Sequence, residues 1–309
     1  MGQRSQILPL SILLLLLTLI VSAADKITDG RTCPPTEAIV YSPFKPWFYF
    51  YSGSNQLCWM TSICALESAD EARKQQFGAT ALIMGLIPLT LKDVAWPERR
   101  IALVSAPLPF AAAVVVRALG LEPTVVGELD GAQVQRYLHW LNGFMFANVG
   151  VLSSIWTTVR VGASFLLLLT AYGMLAVVEI FSKRSSLGCI YPVFAVTWCI
   201  IGILPAFVHA VFAKRRGGEK GDFDPMSTGS VSAVQGADEA WPVQLAWGVY
   251  YVAGTLIFTS IMAVTVAELV VWVFVQVAVT AASKMFALYI CLLLRNPDPT
   301  AHQLRGNEE

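Results

Sequence analysis

The sequence predicts an all-α fold: a multi-pass transmembrane helical bundle with six spans after a signal peptide, or alternatively seven. Three stretches carry this expectation. From Trp241 to Leu294 only Glu268 and Lys284 are charged, from Leu187 to Ala213 no residue carries a formal charge, and from Val161 to Phe181 only Glu179 does. A spanning helix needs about 20 mostly apolar residues, because lipid offers no partner to backbone N–H and C=O groups. Composition agrees: 56% of the 309 residues are hydrophobic and 14% are charged, where an average soluble domain carries about 25% charged residues. The 21 basic and 21 acidic residues cancel, so the expected partner is the lipid bilayer and no nucleic acid.

Residues 1–24 read as a signal peptide. Arg4 precedes the apolar run Ile7–Val21, and the small residues Ser22, Ala23 and Ala24 follow, which is the pattern of a cleaved secretory signal. An uncleaved signal anchor is the alternative. Both deliver Asp25 onward to the lumenal or extracellular side, so the expected location is an integral membrane of the secretory pathway (endoplasmic reticulum or plasma membrane) with a lumenal N-terminus.

Residues 25–76 form a short lumenal head and a charged helix. The head is rich in proline, and its Trp47–Tyr51 run is entirely aromatic, as at a membrane–water interface. Cys33, Cys58 and Cys64 share this oxidising region, where disulfides persist. A bridge from Cys33 to Cys58 or to Cys64 is expected, leaving one thiol over. Ala65–Phe77 reads as a solvated helix with Asp70 and Lys74 in the favourable i,i+4 order.

Residues 77–213 should hold the first four spans. Gly78–Leu91 is short, contains Pro88, and reaches about 17 residues only with Gln76 and Phe77. Lys92–Arg100 reads as an interfacial cytoplasmic turn. Ile101–Leu121 reads as the second span, with Arg117 snorkelling from its end. Glu122, Glu128 and Asp130 then make an acidic lumenal loop. Two readings fit Gln133–Val159. It is an interfacial helix that runs through Arg160 into one long tilted span, Val161–Phe181, or it is a separate span joined by an extremely tight turn. Loop length favours the first. Charge pulls the other way, because no single topology puts both Lys183-Arg184 and Lys214–Arg216 on the cytoplasmic side.

Residues 214–240 read as a flexible polar loop, rich in Gly, Ser and Asp. Residues 241–294 are too long for one span and read as a two-helix membrane hairpin meeting near Ala263–Leu269. Residues 295–309 are a polar tail.

Ionisable residues inside spans are costly and become functional candidates. Four qualify: Lys284, Glu268, Glu179 and His209. Glu179 and His209 lie near helix ends, within reach of headgroups, and Glu268 falls near a turn. Lys284 is about ten residues, hence about 15 Å, from its helix end. It either snorkels along the small residues Ala281, Ala282 and Ser283 or serves an ion pair facing the bundle interior. No H-E-x-x-H, G-x-S-x-G, G-x-G-x-x-G or Walker A pattern occurs, and His139, His209 and His302 are the only histidines. No catalytic residue, metal site or cofactor is therefore expected, and the chain reads as a non-enzyme.

The block Ala69–Phe77, continued by Met84–Thr90 and Trp96–Arg100, and the segment Gly254–Thr265 resemble uncharacterised multi-pass integral membrane proteins of filamentous fungi. The resemblance covers the first span with its loop and the last helical pair. It implies a fungal endomembrane or surface protein and carries over no functional residues. The expected function is that of a non-enzymatic receptor-like, scaffold or structural component. The alternative is a small-solute or ion transporter or channel using Lys284 with Glu179 or Glu268.

Overall fold

The computed structural model describes residues 66–67, 69–90, 100–104, 106–125, 154–182, 187, 190–219 and 239–294. The signal peptide, Cys33, Cys58, Cys64 and the polar tail lie outside the described residues.

Helix α1 spans Glu71–Leu89. Asp70 caps it by accepting the Arg73 N–H at 2.7 Å, which satisfies one of the donors that a helix start leaves open. The expected Asp70–Lys74 pair is therefore replaced: Asp70 is spent on the cap, and Lys74 pairs with Glu71 at 2.8 Å. The charged segment and the apolar segment after it form one helix, with Pro88 in its last turn.

The expected second span is not a span. Ile101–Val104 is strand β1, Phe110–Ala118 is helix α2 and Glu122–Val125 is strand β2. The two strands pair in parallel, with Ile101 opposite Glu122 and Val104 opposite Val125, so the fold is predominantly helical rather than all-α. Pro107 and Pro109 account for the difference. Neither can donate a backbone hydrogen bond, and each drives the residue before it out of the helical region. Helix α2 starts only after them. Its end is a Schellman motif: Gly120 N–H donates to the Arg117 carbonyl at 3.0 Å and Leu121 N–H to that of Val116 at 3.1 Å, with Gly120 at φ 90°. Glycine takes this left-handed turn without steric penalty.

Helix α3 runs without a break from Ser154 to Ser182, so Arg160 sits inside a helix and not in a tight turn. Helices α4 (Phe194–Ile201) and α5 (Ile203–Glu219) are separated at Gly202. Pro205 accounts for the interruption, because its ring removes an N–H and crowds the carbonyl four residues back, that of Ile201. Helix α5 continues through Lys214–Arg216 to Glu219, so the start of the expected polar loop is helical.

The hairpin expected over 241–294 is present as α6 (Trp241–Thr259) and α7 (Val266–Leu293). Its turn places buried Ala263 at φ 58°, a conformation costing about 1–2 kcal/mol for a non-glycine residue. Thr80 of α1 holds this turn: its hydroxyl lies 3.0 Å from the Val264 carbonyl and 3.0 Å from that of Phe77, sharing one proton between two acceptors.

The main core lies between α1, α3, α4, α6 and α7, around Met84, Leu175, Phe258, Ile261 and Trp272. Trp272 Nε1 donates to Ser182 Oγ at 2.5 Å, and Ser182 donates onward to the Val178 carbonyl at 2.7 Å. A smaller core joins β1 and α2 to Ala287, Leu288 and Cys291 of α7. Around these cores runs an exposed apolar belt: Leu166, Leu169 and Val177 on α3, Leu245, Val249, Val252 and Leu256 on α6, and Val270, Phe274 and Val277 on α7. Spacings of three and four on α6 and α7, and of three and eight on α3, put each set on one helical face. Soluble monomers rarely expose apolar patches beyond a few hundred Å². Val159–Ser182, Phe194–Arg215 and Val266–Leu293 are long and apolar enough to cross a membrane, and only 22%, 33% and 44% of their most apolar windows are buried within the protein. An exposed apolar surface of this kind suits a lipid environment, as in an integral membrane protein.

Candidate functional site

A cavity of about 490 Å³ opens among α1, α2, the start of β2, α4, α5, α6 and α7. That is within the range of small-ligand sites, about 300–1,000 Å³. Its wall combines two chemistries.

One wall is charged. The Schellman turn that ends α2 sets Arg117 and Glu122 on either side of Gly120, and Arg117 Nη2 meets Glu122 Oε1 at 2.7 Å. Glu122 N–H donates to the Arg100 carbonyl at 2.7 Å, which brings Arg100 to the same rim. The second Glu122 oxygen lies 3.5 Å from His209 Nε2, and that nitrogen lies 3.1 Å from Glu239 Oε1. A connected row, Arg117–Glu122–His209–Glu239, thus crosses from α2 through β2 and α5 to the start of α6. Lys284 of α7 faces the row: its Cε would stand 3.6 Å from a methyl group placed on Gly120, and it lines the same cavity as Arg100. Burial pushes the Arg100 guanidinium down to about 10, which still leaves it cationic at neutral pH.

The other wall is aromatic. Trp198 stacks on Tyr250 with centroids 4.7 Å apart and planes 12° apart, and its Nε1 donates to the Tyr250 carbonyl at 2.9 Å. Gly254 makes this approach possible, because a methyl group there would lie 2.5–2.7 Å from the indole. Trp247 and Tyr251 extend the wall, and Gln276, Thr280 and Ser283 of α7 complete it.

Of the four polar residues singled out from the sequence, His209 and Lys284 reach this cavity. His209 does not extend to headgroups, because Glu122 and Glu239 hold it inside the protein. Glu179 is fully buried and accepts backbone N–H groups from Ala195 at 2.8 Å and Val196 at 3.2 Å. It caps α4 from another helix, where the N-terminal dipole favours a carboxylate. Glu268 is buried at the third position of α7 and forms a capping box with Thr265. Its Oε2 accepts the Thr265 N–H at 2.7 Å. Sixteen residues of helix, about 24 Å, separate it from Lys284. The acidic residues that share the cavity with Lys284 are instead Glu122 and Glu239. Sequence reasoning assigns these two to loops, and Arg117 to snorkelling.

Among the described residues, no group of His, Cys, Asp or Glu side chains is arranged to hold a metal ion, and Cys199 and Cys291 are free thiols. A second cleft, between α3 and α7, is lined by Met174, Val177, Phe274 and other apolar side chains, with Thr170 at its edge. The chain matches no protein-family model, no curated protein and no solved structure.

Proposed function

We propose that this protein is a non-enzymatic membrane protein that binds a small solute within its bundle, as a transporter or a solute-sensing receptor. One observation carries the reading: Arg100, Arg117, Lys284, Glu122, Glu239 and His209 all face one cavity inside a body whose outer surface is apolar. Burying charged groups costs several kcal/mol each unless they are paired or serve a polar ligand, and intramembrane ionisable groups mark solute pathways. In this reading Lys284 acts with Glu122 and Glu239, in place of the Glu179 or Glu268 expected from the sequence. A purely structural scaffold needs no such cavity.

The proposal includes the membrane arrangement. Helices α1 and α6, which carry exposed Leu82, Leu86 and the Leu245–Leu256 stripe, lie in the same bilayer as the three long apolar helices. That gives five crossings among the described residues. The stretch on which six or seven spans turned begins outside them. The signal-like N-terminus and the fungal resemblance support placement in a secretory-pathway membrane with the N-terminus lumenal.

The test is solute entry. In vesicles, Thr280→Cys is treated with a membrane-impermeant anionic thiosulfonate and its labelling is read by peptide mass spectrometry. A solute site requires reaction at position 280. An inert thiol there, with Glu67→Cys reacting normally, contradicts it.

A further inference from the structure

We propose that the corner between α2 and α5 binds an anionic phospholipid, with the phosphate head at Lys214 and Arg215 and an acyl chain along Leu204, Phe207 and Phe110. The proposal is independent of the solute site and needs only that the Phe194–Arg215 segment stands in lipid.

The pattern along α5 is the first reason. Ile203, Leu204 and Phe207 are exposed apolar side chains, and Lys214 and Arg215 are exposed cations. Each residue of a helix turns by about 100°, so these five positions fall within about 120° of one another. One face of α5 is therefore apolar in its first turns and basic further on. The cations stand where the apolar segment Phe194–Arg215 ends. Leu204 precedes Lys214 by about 15 Å of helix, half the depth of a hydrocarbon core about 30 Å thick. An acyl chain of one leaflet covers that depth.

The second reason is what α2 adds. Its Val114 packs against Ala206 and Ala210 of α5, which fixes the two helices side by side and brings Phe110 to this face. Phe110 and Phe207 meet edge-on, with centroids 5.6 Å apart and planes 85° apart, yet remain 38% and 50% exposed. Lys214 Nζ lies 5.9 Å from the Phe110 ring centroid, and the Arg215 guanidinium lies 5.7 Å from that of Phe212. Contacts of this length hold a cation beside an apolar surface. Among the described residues, the partners of these two cations are aromatic rings and no carboxylate.

Charge complementarity then selects the occupant. A ring face supplies no acceptor oxygen, and two neighbouring cations at headgroup depth repel one another. A phosphate between them supplies anionic oxygens to both, and such charge-assisted hydrogen bonds are the strong ones. Basic residues flanking a membrane span attract anionic lipid in the same way. The exposed ring pair beneath them suits the chain that a lipid carries and a soluble phosphate lacks.

The experiment uses the full chain in detergent micelles, with retention of added lipid read by native mass spectrometry. Dioleoyl phosphatidate and dioleoyl phosphatidylcholine share their chains and differ in head charge. Phosphatidate should be retained in preference, on the order of tenfold, and Lys214→Gln and Arg215→Gln should each lower its retention about fivefold. The exchange Lys214→Arg with Arg215→Lys should keep the preference. Lys74→Gln, which removes the same charge from a residue paired with Glu71, should leave it unchanged. Phe207→Ala should weaken both lipids and keep the preference between them. Glycerol 3-phosphate at the same concentration should displace neither lipid. Equal retention of the two lipids by the wild-type protein overturns the proposal, and so does a Lys214→Gln, Arg215→Gln double variant that keeps the preference. Displacement of phosphatidate by glycerol 3-phosphate at equal concentration assigns the cations to a soluble phosphate and overturns the lipid site.

Discussion

The Glu179 carboxylate of α3 receives the Ala195 N–H of α4 at 2.8 Å, sixteen residues further along the chain. With the second bond from Val196, it closes the first turn of a helix that has no cap of its own, since Val193 offers no side-chain acceptor. Glu179 is thus a positioning residue for the helix that carries Trp198 and Cys199. Glu179→Ala leaves one buried and one half-buried backbone donor unmet and should cost about 2–4 kcal/mol. Glu179→Gln keeps one acceptor oxygen and should cost about half as much. Denaturant titration in detergent measures both, and two neutral substitutions would contradict the role.

Glu268 and Thr265 should behave as a single cap. Removing either side chain should destabilise by about 0.5–2 kcal/mol. The double substitution should cost less than the sum, because each residue satisfies the other's backbone donor. Labelling of Thr280→Cys in the cavity should not change when Glu268→Gln is added. A large loss of labelling there would restore the partnership with Lys284 expected from the sequence.

Gly254→Ala should damage the aromatic wall. The added methyl group meets the Trp198 indole at 2.5–2.7 Å, and the contact is with rigid ring atoms, so the ring has to move off Tyr250. A cost of about 1–3 kcal/mol follows from overpacking, with a changed Trp198 fluorescence. Gly248→Ala, on the same helix with no atom within 4 Å of the added methyl, is the control and should be tolerated.

Gly120→Ala should cost about 1–2 kcal/mol through its backbone alone. The penalty comes from φ 90°, which suits glycine and not alanine. The new methyl would touch Lys284 Cε only at ordinary contact distance, 3.6 Å. Thermal unfolding reads the loss, and a stability equal to wild type would contradict the Schellman geometry.

The membrane class, the long helices and the two-helix hairpin over 241–294 were legible because an apolar run of some twenty residues is too long for one strand and too apolar for a solvated helix face. The capping box went unread, although Thr265 and Glu268 stand in the T-x-x-E pattern at the head of an apolar run that signals one; Glu268 reads instead as a candidate polar site. Ile101–Leu121 misled because hydropathy cannot tell a span from a strand–helix–strand unit. Pro107, Pro109 and Gly120 were the signals that could have done so. The cavity was mostly illegible. His209 and Lys284 stood out as charges in apolar runs, but Arg100, Arg117, Glu122 and Glu239 lie at element ends, where charged residues are ordinary. Only the folding of β2 against β1, and of α6 beside α5, brings them to one place.

The central claim is that Lys284 faces a water-accessible cavity and not lipid or a dry core. Acetylation of the unaltered protein tests this without a substitution. The protein is reconstituted in vesicles loaded on both sides with an impermeant sulfonated succinimidyl acetate, and modification is read by peptide mass spectrometry. Lys284 should be acetylated, more slowly than the exposed Lys74. Complete labelling of Lys74 with none at Lys284 would contradict the account.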